Sequence, residues 1–160
     1  MRARGLVGGS RRVPSRGVPG NYLYAAIRVG RDYRNVASWG MKTVAIIGAS
    51  NNRKKFGNKA VRAFLRQGYT VFPVNSHEKE VEGLPVFRNV REVPVRPEKI
   101  SVYLPPPVVG QVLPDIAARG CDELWLNPGT ESEEVLQQAK ELGLNVIQAC
   151  SILGVGDTPD

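Results

Sequence analysis

The chain predicts an open, doubly wound α/β sheet of about five parallel strands with helices on both faces. Three observations carry this. Apolar runs alternate with amphipathic segments from Met41 onward; the first run, Met41 to Ser50 (MKTVAIIGAS), stops at Gly48 and passes into a small polar turn; and a helix signal follows that turn. A strand, a tight turn and a helix in that order gather backbone N–H groups beside a helix N-terminus, where such folds receive a phosphate.

The strands fall at Thr43–Gly48, Tyr69–Asn75, Ile100–Leu104, Glu123–Leu126 and Asn145–Gln148. The first helix is expected over Asn58–Gln67, where Val61, Phe64 and Leu65 share one face, Lys59, Arg62 and Arg66 face water, and Gly68 closes the C-terminus. The second, Val108–Arg119, contains Pro114, which removes a ladder hydrogen bond and predicts a kink or a restart. The last opens on a capping box, Thr130 with Glu133, and runs to Leu142 before Gly143. Between strands two and three, Gly83 to Val86 reads as a brief extended piece in a segment rich in proline and charge. Right-handed crossovers then suggest the strand order 3-2-1-4-5, with ligands held outside the carboxyl ends beside strand one.

At 160 residues and 42% hydrophobic, the chain suffices for one domain with a real core. Its formal charge of +7 is unevenly placed. Residues 1–40 hold eight arginines and one acid, Asp32, for +7, and the other 120 hold 14 bases and 14 acids, for zero. The division is therefore a basic leader, 1–40, and a neutral domain, 41–160. The leader is expected to be disordered or loosely attached. It reads as an upstream in-frame extension with the start at Met41, an Arg-rich targeting segment, or a basic arm for phosphates, the first being favoured. No run is long and apolar enough to span a bilayer, and Cys121 and Cys150 form neither a disulfide framework nor metal-ligand spacing. A reduced cytoplasmic protein fits, with no membrane and no nucleic-acid role for the neutral domain.

The residues after each strand are the site candidates. In the first turn Gly48, Ala49, Ser50 and Asn51 let a pyrophosphate approach the backbone, Arg53, Lys54 and Lys55 supply counter-charge, and Phe56, Gly57 and Asn58 open the helix. A nicotinamide or flavin dinucleotide calls for G-x-G-x-x-G and an acid ending strand two. Here only Gly48 stands at the turn, and strand two ends Pro73-Val74-Asn75. A Walker-type loop is absent too. After strand three, Leu104, Pro105 and Pro106 form a rigid apolar wall suited to an adenine face or a pantetheine arm, although they also read as a plain strand terminator. After strand four, Asn127, Pro128 and Gly129 turn sharply into the last helix. Cys150, on the same edge, reads as a small buried thiol or as a partner for a ligand thiol, whereas Cys121 reads as packing. His77, the only histidine, reads as an exposed structural residue, and no catalytic constellation or metal set emerges.

Taken in order, IIGASNN with FGN after it, GYTVFPVN, GLPVF, YLPPP, WLNPGTESEE and QAC resemble the small stand-alone CoA-binding proteins. Their Rossmann-like domain is similar to the CoA-binding domain of the succinyl-CoA synthetase α subunit. The resemblance runs from Met41 to about Leu153. It implies that Gly48, Ala49, Ser50 and Asn51 cradle the phosphates of CoA or an acyl-CoA, and that Asn75, with a nearby base such as Lys79, serves the adenosine end. Leu104, Pro105 and Pro106 would line the nucleotide and pantetheine. Many relatives read Pro-Val-Asn-Pro where this chain has Ser76 and His77, which leaves the partner of the 3′-phosphate open. The synthetase's phosphohistidine lies in a further domain, and His77 is not at a matching position. The implied role is a non-catalytic sensor, carrier or regulatory module with a protein partner or homo-oligomer in view; the alternatives are a subunit of a CoA-dependent enzyme and a small NAD(P)-dependent oxidoreductase.

Overall fold

A computed structural model describes residues 42–160. What was expected of residues 1–40 lies outside the described residues. Five parallel strands form the sheet: β1 (Thr43–Ile47), β2 (Thr70–Val74), β5 (Lys99–Val102), β6 (Glu123–Leu126) and β7 (Val146–Gln148). A small antiparallel hairpin, β3 (Glu80–Val81) and β4 (Leu84–Pro85), stands between β2 and β5. The helices are α1 (Phe56–Arg66), α2 (Pro106–Arg119), α3 (Glu133–Glu141) and the short α4 (Ser151–Gly154), with a 3-10 turn at Val90–Glu92. The doubly wound Rossmann-like α/β class is as expected, and the centre of the sheet explains its apolar runs: every residue of β1 and β2 is buried.

The strand order is corrected. It is β2-β1-β5-β6-β7, so the third expected strand pairs with β1, Ile47 beside Val102, and does not lie outside β2. Counted in chain order, the five strands run 2-1-3-4-5. The outer edge of β2 is already taken, because the chain leaving the hairpin folds back on it. Phe87 N–H donates to Pro73 O at 2.9 Å, Asn75 N–H donates to Phe87 O at 3.0 Å, and Val74 pairs with Phe87 in an isolated bridge. The direction in which the chain adds strands across the sheet reverses at β1, from β2 on one side to β5 on the other, so right-handed crossovers place α1 on one face and α2 with α3 on the other. Accordingly α1 packs with β1, β2 and α4, while α2 packs with α3 and the 3-10 turn.

Two helix details also differ. Pro114 lies inside one continuous helix, α2, so of the two expected outcomes it does not mark a restart. A proline there leaves the carbonyl of Gly110 without its N–H partner. The side-chain amide of Gln138, from α3, donates to that carbonyl at 3.0 Å. The N-cap of α3 is Ser132, whose hydroxyl accepts Val135 N–H at 3.2 Å, and not Thr130. The Thr130 hydroxyl instead donates to Asn127 O at 2.7 Å, closing the turn after β6 ahead of the helix.

Candidate functional site

At the carboxyl edge of the sheet the post-strand segments converge on a cavity of about 750 Å³. Each of the five contributes: Gly48 and Ser50, Asn75 and Glu78, Pro105 and Pro106, Asn127 to Gly129, and Cys150. A volume of that size suits a ligand of cofactor dimensions. A second cavity, of about 320 Å³, adjoins it and shares Gly48, Asn75, His77 and Leu104 with it.

The first turn explains why Gly48 and Gly57 are glycines. Gly48 sits at φ +89°, and a Cβ there would lie 2.4 Å from Tyr103 O; a Cβ on Gly57 would lie 2.1 Å from Gly48 O. The helix thus begins against the turn itself. At that end the N–H groups of Phe56 and Gly57 have no intrahelical acceptor, and the N-cap, Lys55, makes no side-chain cap hydrogen bond. The other long helix beside the site contrasts with this one. Pro106 and Pro107 open α2, so it presents an apolar wall with no donors from those two residues.

Of the residues expected at the site, Gly48, Ser50, Lys55, Phe56, Gly57, Asn75, Leu104, Pro105, Pro106, Pro128 and Gly129 line the main cavity, and Val74 lines the second. The others are placed differently. Ala49 is fully buried, its carbonyl accepting Asn75 Nδ2 at 2.7 Å. Asn58, also fully buried, donates to Ser50 O at 2.8 Å and to Glu82 Oε1 at 3.0 Å, and accepts from Arg62 Nε at 2.9 Å. It holds the turn in shape. Arg53 reaches Glu82 at 3.2 Å, and Lys54 is exposed outside the lining. Asn51 is engaged by a carboxylate: its N–H donates to Glu78 Oε1 at 3.0 Å and its side-chain amide to Glu78 Oε2 at 2.7 Å. Lys79 lines neither cavity; its carbonyl accepts Val86 N–H as the hairpin begins.

His77, Glu78 and Asn127 fall within the segments that follow the strands, but no specific role at a site was legible for them in the sequence. His77 lines both cavities, its Nδ1 2.7 Å from the Ser76 hydroxyl, and the Asn75 carboxamide oxygen accepts the N–H groups of His77 and Glu78 at 2.7 and 3.1 Å. That side-chain turn is a local signal that an Asn ending a strand can give. Another group is a buried polar network. Asn127 Nδ2 donates to Ser101 Oγ and to Val102 O, both at 2.9 Å, and Asn127 Oδ1 accepts Ser151 N–H at 2.8 Å. The Ser151 hydroxyl lies 2.7 Å from that of Ser101 and 2.9 Å from that of Tyr103. Burial pushes the Tyr103 phenol up to about 12, so it remains neutral and hydrogen-bonded. The network knits β5, β6 and α4 together beside the cavity.

The chain is 32% identical over 103 residues to the acetate–CoA ligase (ADP-forming) II α subunit of Pyrococcus furiosus, a match covering 62% of this chain and 22% of that subunit. A solved conserved hypothetical protein from P. furiosus superposes with a TM-score of 0.66 at 34% identity, covering 71% of this chain and 99% of its own. The dinucleotide-forming acetyl-coenzyme A synthetase 1 of Ca. Korarchaeum cryptofilum, solved with phosphate and ADP, superposes with a TM-score of 0.60 at 25% identity, covering 68% of this chain and 25% of that one. The sequence profile of a CoA binding domain family matches residues 42–156, and the chain belongs to that family.

Proposed function

We propose that this chain binds coenzyme A or an acyl-CoA in the main cavity and acts as a binding module, a sensor, carrier or regulatory subunit, without performing chemistry alone. The observation that carries the reading is the meeting, within one cavity, of a glycine turn with a free helix N-terminus and an apolar wall of prolines. The first suits a pyrophosphate and the second an uncharged pantetheine arm. Membership of the CoA binding domain family supports it. Ser50, Phe56 and Gly57 meet the phosphates, Lys55 supplies counter-charge, and Leu104, Pro105 and Pro106 flank the arm. In this reading the leader, 1–40, adds nothing to binding, the domain is 41–160, and the protein works in the cytoplasm.

A second reading is favoured by the ligase relatives. This chain spans 22% of the length of the P. furiosus α subunit, so the same fold there is one part of a larger protein. On that reading a partner chain brings the reactive groups to the carboxyl edge.

Calorimetric titration of the full chain with CoA, dephospho-CoA, ADP and NAD tests both. Micromolar CoA binding, unchanged within about twofold when residues 1–40 are removed, is expected. Silence toward CoA with binding of NAD overturns the reading in favour of a dinucleotide oxidoreductase. Turnover of CoA thioesters only after a partner is added establishes the subunit reading.

A further inference from the structure

The second cavity carries a charge that the main site leaves unused. Ile47, Val74, Val108 and Val112 give it an apolar lining, and Arg88 and Asp115 add charge. Asp115 is already answered: Arg91 Nε lies 2.6 Å from one carboxylate oxygen, and Asn89 Nδ2 donates to the other at 2.9 Å. Arg88 is not. Among the described residues its guanidinium makes no ion pair or hydrogen bond, whereas Arg53, Arg66, Arg91 and Arg96 all pair with carboxylates.

Its backbone is nonetheless fixed. Phe87 is bonded to the end of β2 on both sides, and Arg88 N–H donates to Glu92 Oε2 at 3.2 Å. This holds a long, charged side chain in the lining of the second cavity with Asn75 and His77, two of the four residues that the cavities share. A ligand whose pyrophosphate lies at the Gly48 turn can pass its adenosine into the apolar second cavity, where it meets a guanidinium with free donors. A planar fork of donors matches a phosphate monoester better than any other group of the ligand.

We propose that Arg88, with His77 at the boundary, is the residue that selects a ligand bearing a phosphate on its ribose, and so tells CoA from dephospho-CoA. The proposal rests on the CoA reading above. It moves the role of a nearby base from Lys79, which lines neither cavity, to a residue thirteen positions downstream of Asn75.

The test titrates the full chain, wild type and the variants R88Q, R88K and K79Q, with CoA, dephospho-CoA and adenosine 3′,5′-bisphosphate, with thermal melts to confirm folding. Wild type should bind CoA about tenfold or more tighter than dephospho-CoA, the span expected of hydrogen bonds to a charged group. R88Q should lose that preference by weakening CoA and the bisphosphate while leaving dephospho-CoA within about twofold, and R88K should recover only part of it. A preference that survives in R88Q, or that disappears in K79Q, overturns the assignment and leaves the CoA reading standing. So does a wild type that binds CoA and dephospho-CoA equally. A wild type that binds neither CoA nor the bisphosphate overturns the CoA reading and this proposal with it.

Discussion

The two ends of the sheet treat charge in opposite ways. At the amino ends of β5 and β6, charged groups answer one another. Lys99 Nζ lies 2.5 Å from Glu123 Oε2 and 3.3 Å from Glu98 Oε1, and 5.9 Å above the Trp125 ring. The Trp125 indole donates to the same Glu123 oxygen at 2.8 Å, and Arg96 pairs with Asp122. The bond from Lys99 holds the Glu123 carboxyl below its usual range. At the carboxyl ends, Lys55 and Arg88 line the cavities and pair with no carboxylate among the described residues, and the buried amide of Asn127 is satisfied entirely by neutral groups. One edge is closed by its own pairs, and the other keeps donors available for something outside the chain.

The sharpest way to break this contrast is Gly57→Ala. Its Cβ would meet Gly48 O at 2.1 Å, so the helix must move off the turn. Overpacking of this kind costs about 1–3 kcal/mol. The displaced helix end and turn should lower CoA affinity by about 100-fold, since a donor set aimed at a phosphate loses its alignment. Calorimetry beside chemical denaturation checks it; a variant that is destabilised yet binds normally would show that the turn is not the phosphate site.

Alkaline pH separates the edges next. Burial raises the Tyr103 phenol from 10.0 to about 12 at the carboxyl edge, and the Cys121 thiol from 9.0 to about 11 at the amino edge. Each group is neutral when protonated, so a raised folded value means the unfolded chain releases its proton first. Stability from Cys121 is therefore full below pH 9 and lost as pH rises to about 11; that from Tyr103 is full below pH 10 and lost by about 12. Each loss reaches about 2–3 kcal/mol at its upper limit. Cys121→Ala should flatten the lower part of the profile and Tyr103→Phe the upper part, in denaturation midpoints measured from pH 8 to 12.

A smaller effect tests the amino edge alone. Lys99→Met removes the partner of Glu123 and Glu98, at a site only partly exposed, and should cost about 1 kcal/mol. CoA affinity should not change. Coupled loss of affinity would mean that the two edges communicate through β5.

Much of this architecture was legible because it is local. The strand Glu123–Leu126 lies where its apolar run ends against polar neighbours, and the turn after β1 declares itself by Gly48 and by small residues. What was not legible depends on distant pairing. The order of the sheet turned on which chain covers the outer edge of β2, and no feature of Phe87 announces that it bridges to Val74. The same folding back sets Arg88 in the lining of the second cavity, while Lys79, nearer Asn75 in sequence, lines neither cavity. Thr130 and Ser132 are both good caps, and only the need to close the turn at Asn127 O decides between them. His77 is exposed, as expected, and a lone histidine carries no pattern that would place it in the lining of both cavities.

Glu78 is the exception to the contrast, an acid at the edge that otherwise gathers donors. Its two carboxylate oxygens take the N–H and the side-chain amide of Asn51, at 3.0 and 2.7 Å, in the turn proposed above to receive a phosphate. On that proposal a bound pyrophosphate would meet a like charge there, and Asn51 cannot serve both anions with the same donors. Replacing the carboxylate by an amide keeps the size and one acceptor while removing the charge. Glu78→Gln should therefore tighten CoA binding by about threefold, with a gain that shrinks as salt is raised, because the repulsion it relieves acts across an exposed rim. Weaker binding by the same variant would mean that Glu78 shapes the turn for its ligand, in the manner of Asn58, and that order at this edge outweighs charge.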